Sequence, residues 1–433
     1  MMNSNQKPGV SFALWIPTIW MIISASRSIA GWLDPREVAF TDVDYLSGSP
    51  IDRTVLSILI VIGILILVFR KADWSQILKS NAWIFLLFVY MGISIFWSDF
   101  QDVSFKRWIR ACGTLIMTLV VLTEPYPFEA ISRLIRRCAY VLLPLSIILI
   151  KYYRVYGVAY SSSGEYEYWL GVTTHKNSLG ALAMIGGIYF TWSIMKTWGN
   201  KKVFIDILFF SMALYLLIGS KSMTSLYVLF VGIFTLLMVR VLKINLKYMG
   251  TTIFFIVLLF FLIFQLIENL VVQDSIMGSI IESSGRDTTL TGRTDLWTDL
   301  LDIASRNPIF GVGYGSFWIG DLGNDLWQKY TWQPTEGHNG YIDVYVELGL
   351  IGLFLLIMAI FFAYKSILGT FRFDFEYGKL RMILLVMIMA HNITESTICF
   401  SNHILWFIFL LVAVSVPKII RTGLAASGEN AAV

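Results

Sequence analysis

Residues 336–341 read Glu336-Gly337-His338-Asn339-Gly340-Tyr341, and from Leu348 onward the chain turns apolar as Leu348-Gly349-Leu350-Ile351-Gly352. That abrupt change decides the fold. The hexapeptide closes a polar stretch, about 271–345, that carries Arg286, Arg293, Arg306, a glycine-rich turn and His338. On both sides of it, apolar runs recur near the ~20 residues that a membrane helix needs. Reactive side chains at the mouth of an apolar bundle point to chemistry on something anchored in a bilayer.

Composition agrees. Of 433 residues, 57% are hydrophobic and 14% charged, where a soluble domain carries roughly a quarter charged. Mean hydropathy is +0.69. Open sheets cannot satisfy their backbone groups in lipid, so the chain reads as an all-α polytopic membrane protein. Spans are expected at about 10–31, 54–70, 81–98, 106–123, 138–154, 178–195, 203–219, 223–241, 249–270, 346–367, 380–396 and 403–418, about twelve in all. The chain then divides into a nine-helix region (1–270), a long water-facing loop with short helices (271–345), and a three-helix region with a polar tail (346–433). The first apolar run lacks a basic flank and a small-residue cleavage site, and is expected to be a retained helix. Cys112, Cys138 and Cys399 offer neither a disulfide framework nor metal-ligand spacing. No nucleic-acid partner is expected.

Lys and Arg set the orientation. With the N-terminus inside, every inner segment is basic, and together these segments hold nineteen of the 33 basic residues. The other fourteen, among them Arg107, Arg110, Lys176, Lys221, Arg286 and Arg293, fall outside. Several sit at or within helix ends, where a lipid-facing charge costs about 2.5–3.5 kcal/mol. They are expected to face a bundle interior or wet cavity; snorkelling to headgroups is the alternative for each taken alone. All four histidines, His175, His338, His391 and His403, also lie toward the outer side. Chemistry is therefore expected there. No internal repeat is evident, and only the second half has a long loop, which counts against a transporter of inverted repeats.

Within the loop, Thr294 is placed to cap a short helix, Asp295 to Ser305. Leu296, Trp297, Leu300, Leu301 and Ala304 give it one apolar face, and Asn307-Pro308 ends it. Arg293 is expected just before that helix, near its positive end. Gly311-Val312-Gly313-Tyr314-Gly315 has the wrong spacing for a dinucleotide fingerprint. It reads either as a tight turn needing positive φ or as a place where backbone approaches a phosphate or sugar. Trp318, Trp327, Tyr330 and Trp332 follow, suited to sugar faces or to a membrane interface. Thr174-His175-Lys176-Asn177 opens the sixth span, and Gly219-Ser220-Lys221-Ser222 forms a short turn before the eighth. His391 and Glu395, four apart, fall on one face of the eleventh span as a buried hydrogen-bonded pair. A zinc site there lacks a third ligand of suitable spacing. Asp42-Val43-Asp44 reads as a solvated loop. Neither metal nor cofactor is expected.

At these residues the chain resembles the O-antigen ligase and Wzy-type polymerase superfamily of bacterial envelope glycosyltransferases. The features that carry it are Arg286 and Arg293 with Gly292 and Trp297, the Gly311-Val312-Gly313 turn, and Gly337-His338-Asn339 running into Glu347-Leu348-Gly349. Trp97-Ser98-Asp99 with Lys106-Arg107-Trp108, and more weakly Gly48-Ser49-Pro50 and His175-Lys176-Asn177, extend it over most of the chain. The pattern is most like that of succinoglycan-type exopolysaccharide polymerases. One departure is Ser220-Lys221, where family members often carry Ser-Arg; lysine lacks the bidentate fork.

The resemblance implies a GT-C-like glycosyltransferase in the bacterial inner membrane with its site on the periplasmic side. Its partners would be an undecaprenyl-diphosphate-linked oligosaccharide, membrane lipid, and a chain-length regulator with an export complex. No nucleotide sugar and no divalent metal is implied. His338 and Arg293 are the expected catalytic pair: an imidazole to deprotonate the acceptor hydroxyl and a guanidinium to hold the departing diphosphate. Asn339 or Glu347 would orient His338. Arg107, Arg110, His175, Lys176, Lys221 and Arg286 would line the substrate. A polymerase is the first expectation; an O-antigen ligase acting on lipid A core, or a transporter of lipid-linked glycan, are the alternatives.

Overall fold

A computed structural model describes residues 9–33, 49–160, 167–241, 252, 290–330, 333–372, 374–400 and 403–415. In chain order the helices are α1 (Trp15–Ser24), α2 (Ile29–Leu33), α3 (Pro50–Phe69), α4 (Trp74–Ser80), α5 (Ala82–Ile93), α6 (Gln101–Leu122), α7 (Pro127–Tyr152), α8 (Arg154–Gly157), α9 (Lys176–Lys196), α10 (Val203–Ser220), α11 (Met223–Val241), α12 (Leu290–Ala304), α13 (Asp321–Lys329), α14 (Gly340–Thr370), α15 (Phe375–His391) and α16 (Ile404–Ala413). A small antiparallel hairpin, β1 (Val158–Tyr160) with β2 (Glu167–Trp169), sits between α8 and α9.

The helical, apolar character agrees with the sequence. Among the described residues, α3, α9, α10 and α14 are long and apolar enough to cross a membrane, and the bent pair Trp74–Ser80 with Ala82–Trp97 adds a fifth. The expected ninth span, 249–270, and Arg286 lie outside the described residues. Two expected spans differ from expectation. The first breaks after Ser24, and the last holds only the ten residues Ile404–Ala413. At 1.5 Å per residue, ten residues reach about 15 Å, half a hydrocarbon core.

Burial sorts the helices. In α9 every residue from Leu179 to Phe190 is buried, so this helix is the hub. Its small residues let neighbours approach: a Cβ on Gly187 would stand 3.2 Å from Leu229 of α11. The α3 helix turns Ile58, Val61, Leu65 and Val68 outward, the apolar face that lipid covers. Charges assigned to the inner side meet one another. Arg136 pairs with Asp206 at 3.5 Å, and buried Arg381 donates to the carbonyls of Val412 and Val414, capping the end of α16.

The break inside α14 positions the segment that precedes it. Gly349 has φ 63° and ψ −165°, which interrupts the helix. In lipid each orphaned backbone group would cost several kcal/mol. The glycine-rich turn supplies partners. Val312 and Gly313 donate to the carbonyls of Val346 and Glu347 at 3.0 and 2.9 Å, while Leu350 and Ile351 donate to Pro308 and Ile309. The Tyr90 hydroxyl donates to the Leu348 carbonyl at 3.1 Å. Loop and helix are thus sewn together through backbone. A Cβ on Gly349 would lie 2.3 Å from the Ile309 carbonyl oxygen, and this region of φ/ψ costs a residue with a side chain about 1–3 kcal/mol. Gly349→Ala is therefore expected to destabilise the detergent-solubilised protein by at least about 2 kcal/mol, read as a lowered thermal midpoint. An unchanged midpoint would contradict this account of the seam.

The rest of the described loop folds on a small core of its own. Leu296, Leu300 and Ala304 of α12 meet Phe317, Trp318, Leu326 and Val346. Helix α12 begins at Leu290, five residues before the expected start at Asp295, so Thr294 lies inside it rather than capping it. Leu301, expected on the apolar face, is exposed.

Candidate active site

Asn339 caps α14, its Oδ1 accepting the amides of Tyr341 and Ile342 at 3.1 and 3.2 Å. That cap leaves His338 just ahead of the helix with φ 48°, a strained conformation for a residue with a side chain. Its neighbours hold it. The Gly337 amide donates to both Asp343 carboxylate oxygens at 3.1 and 3.0 Å, and the Trp297 indole donates to the Gly337 carbonyl at 2.8 Å. The Asn339 amide donates to Ser396 Oγ at 3.1 Å. Helices α12 and α14 and the 392–403 connection therefore all grip the same three residues.

The imidazole lies between two carboxylates. His338 Nδ1 is 3.2 Å from Glu336 Oε1 and 3.2 Å from Glu395 Oε2. The other oxygen of Glu395 accepts from Asn177 Nδ2 at 2.8 Å and from Arg293 Nη2 at 3.3 Å. Arg293 Nη1 donates to the Thr394 carbonyl at 2.8 Å. Glu395 is buried, with 4% of its side chain exposed, while Glu336 retains 22%. Each of the four histidines feels the charge of Glu395.

Electrostatics follows from this packing. Burial pulls the His338 pKa down, but the Glu395 hydrogen bond and the charges of Glu395 and Glu336 outweigh it, and the net shift is upward. Burial pushes Glu336 up to about 8, against the pull of His338. Burial also works to raise Glu395, yet His338 and Arg293 hold it well below the usual carboxylate range. His175, which caps α9, is lowered, chiefly by burial.

The structure brings together His338, Arg293, Asn339 and, through Asn177, the start of α9 at His175 and Lys176. Lys176 Nζ sits 5.4 Å above the Tyr168 ring of β2. Lys221 is exposed, with φ 54°, at the end of α10. The turn after it reaches the site through Thr224, which accepts from Thr394 at 3.0 Å, and through Ser225, 3.2 Å from His391 Nε2. Other expected residues lie elsewhere. Arg107 donates to the Gly315 carbonyl, and Glu347 accepts the Gly315 amide at 2.9 Å, so both brace the glycine turn. Arg110 lies near Asp52 and Tyr314.

Four expectations change. Arg293 belongs to the first turn of α12 instead of preceding it. Glu395, not Glu347, occupies the place beside His338 Nδ1. His391 and Glu395 do not share a helix face, because α15 ends at His391. The glycine turn is no phosphate cradle, since its amides are already engaged: Gly311 by Asn307, Val312 and Gly313 by α14, Tyr314 by Ser94 and Gly315 by Glu347.

Sequence patterning gives Glu336 no role and pairs Glu395 only with His391. Glu336 stood inside the quoted hexapeptide; Glu395 is 57 residues from its partner His338. Their oxygens and His338 Nδ1 lie within 4.8 Å of one another, a span one cation can bridge. Arg293 already supplies positive charge to the same carboxylate.

Fold and site define a helical membrane protein with a buried ionic centre where its extramembrane segments meet the bundle. Residues 207–357 match the family described as O-antigen ligase (Wzy_C). The exopolysaccharide production protein ExoQ of Rhizobium meliloti is 26% identical over 361 residues, 79% of this chain and 75% of ExoQ. An uncharacterized protein of Haemophilus influenzae is 33% identical over 85 residues, 19% of this chain and 21% of that protein. The chain is thus similar to O-antigen ligases over residues 207–357 and to ExoQ over most of its length. Glu336, His338 and Arg293 fall inside the matched segment; Glu395 falls outside it.

Proposed function

We propose that this chain is an exopolysaccharide polymerase that joins oligosaccharide units carried on undecaprenyl diphosphate, at the periplasmic face of the bacterial inner membrane. One observation carries the reading: His338 and Arg293, 45 residues apart in sequence, meet on one buried carboxylate. An imidazole and a fixed guanidinium are the two devices this transfer requires. Arg293, with Lys176 at the start of α9, receives the diphosphate. With Nδ1 engaged by carboxylate, Nε2 of His338 takes the proton of the acceptor hydroxyl. The freed oxygen attacks the anomeric carbon, the bond from that carbon to the diphosphate oxygen breaks, and the diphosphate departs with the electron pair.

Purified protein given lipid-linked repeat units and a chelator, with no nucleotide sugar, is expected to build long chains; failure to elongate under these conditions would reject the reading. Direct displacement inverts the anomeric centre. A retained configuration in the new linkage would instead make a carboxylate, Glu336 foremost, the nucleophile.

The O-antigen ligase description of the matched family favours a second reading, in which the same donor is passed to lipid A core. A deletion strain separates them. A polymerase mutant lacks long chains on any carrier, whereas a ligase mutant accumulates long chains on the lipid.

A further inference from the structure

The most densely shared side chain of the site is Glu395, a residue outside the matched segment. We propose that Glu395 is the positioning residue of this centre: its Oε2 accepts the Nδ1–H of His338 and presents Nε2 to the acceptor hydroxyl. The inference rests on the polymerase reading above.

Three observations support it. First, the carboxylate is itself fixed. Oε1 accepts from Asn177 and Arg293, while the carbonyl of the preceding residue, Thr394, takes the other arm of Arg293. A carboxylate held at one oxygen by two donors offers the second oxygen in one direction only. Second, the backbone on both sides of the contact is tied. The Asn339 amide is bonded to Ser396 Oγ, and the Gly340 amide to the Asn392 carbonyl at 3.0 Å. The segment carrying the imidazole and the segment carrying the carboxylate therefore cannot slide past each other. Third, the two carboxylates beside Nδ1 differ. Glu395 is almost wholly buried and ion-paired to Arg293, whereas Glu336 is partly exposed and meets His338 as its ion-pair partner, with Arg293 acting on it only through its charge.

A buried acceptor at Nδ1 settles the tautomer, since one ring nitrogen must carry the proton that the carboxylate receives. During transfer the acceptor proton moves to Nε2, giving an imidazolium. The Nδ1 proton stays on Nδ1, and Glu395 remains a carboxylate because Arg293 and Asn177 stabilise its charge. The charged groups facing the imidazole are Glu336 on its own segment, Glu395 from the 392–403 connection, Arg293 from α12, Asp343 from α14 and His175 from the start of α9. Of these, Glu395 alone both hydrogen-bonds Nδ1 and is clamped by the anion-binding arginine.

The test is the pH–rate profile of Glu395→Gln in the full-length protein, assayed with lipid-linked repeat units. The amide keeps the shape and can still accept one hydrogen bond, but the charge is gone. Activity needs the neutral imidazole, so it is lost as pH falls through the His338 pKa. Removing a carboxylate that raises that pKa moves the acid limb to lower pH. The expected result is that shift, together with a fall in kcat of roughly 10²–10⁴-fold, the span of general-base catalysis. A purely structural role would depress activity equally at every pH, so an unmoved limb, or a wild-type kcat, overturns the proposal. If Glu395→Gln does not survive purification, Glu395→Asp takes its place. With the charge kept but drawn back by one methylene, kcat should fall while the limb stays closer to wild type; an unaltered kcat overturns the proposal. His338→Asn serves as the reference. A wild-type protein that builds no chains would remove the parent reading; activity in His338→Asn would take His338, and with it this inference, out of the reaction; and an inactive His338→Asn beside a fully active Glu395→Gln would remove only this inference.

Discussion

Replacing His338 is expected to stop chain elongation, with kcat down roughly 10²–10⁴-fold and lipid-linked repeat units left unconsumed. The choice of substitute matters. His338 sits at φ 48°, where asparagine is tolerated better than alanine. His338→Asn keeps the backbone close to its own geometry and removes the base; His338→Ala adds a folding penalty that would blur the result. The surrounding grip on Gly337 and Asn339 does not involve the imidazole, so the Asn variant should be recovered in normal amounts. Polymer of wild-type length made by that variant would take His338 out of the reaction.

Arg293→Lys carries the second large effect. The guanidinium makes two divergent contacts, to the Thr394 carbonyl and to Glu395, and its planar fork can present further N–H groups to phosphate oxygens. An ammonium on a flexible stem offers charge without that geometry. Loss of one preorganised donor to developing charge typically costs about 10²–10³-fold in kcat, and that is the expected fall. Arg293→Ala is the less informative variant, because it strands the buried Glu395 carboxylate, a change that can cost about 3–5 kcal/mol. Wild-type chain length with Arg293→Lys would mean that the diphosphate is held elsewhere.

Much of the scaffold was legible because lipid leaves few options for an apolar run. The helices α3, α9, α10 and the part of α14 that follows Gly349 announce themselves by hydropathy alone. What hydropathy does not register is a break whose polar groups are satisfied from a distance. The stop after Ser24 is held by Arg27, which donates to carbonyls of Tyr156, Gly171 and Thr173. The bend at Asn81 is held by its bond to the Ser415 amide at 2.7 Å. The site divides in the same way. His338 and Arg293 could be picked out because each stands in a local pattern with its own chemical meaning. Glu395 could not, since at four residues from His391 it looks like one helix-face pair among many, and its actual partners come from α9, α12 and the segment before α14. The glycine turn was ambiguous for a related reason: a positive-φ turn that approaches a ligand and one that approaches its own chain have the same composition.

The seam at Gly349 bears on how the protein is made. Residues 308–313 leave the ribosome before 346–351, so the glycine turn must already lie on the matching side when the long span inserts. If the two pieces end on opposite sides, the carbonyls of Val346 and Glu347 lose their donors Val312 and Gly313, and each left bare in hydrocarbon costs several kcal/mol. A misinserted copy would then be marked for quality control by its own half-finished helix. On that account the seam would favour one topology through backbone geometry, in addition to flanking charge.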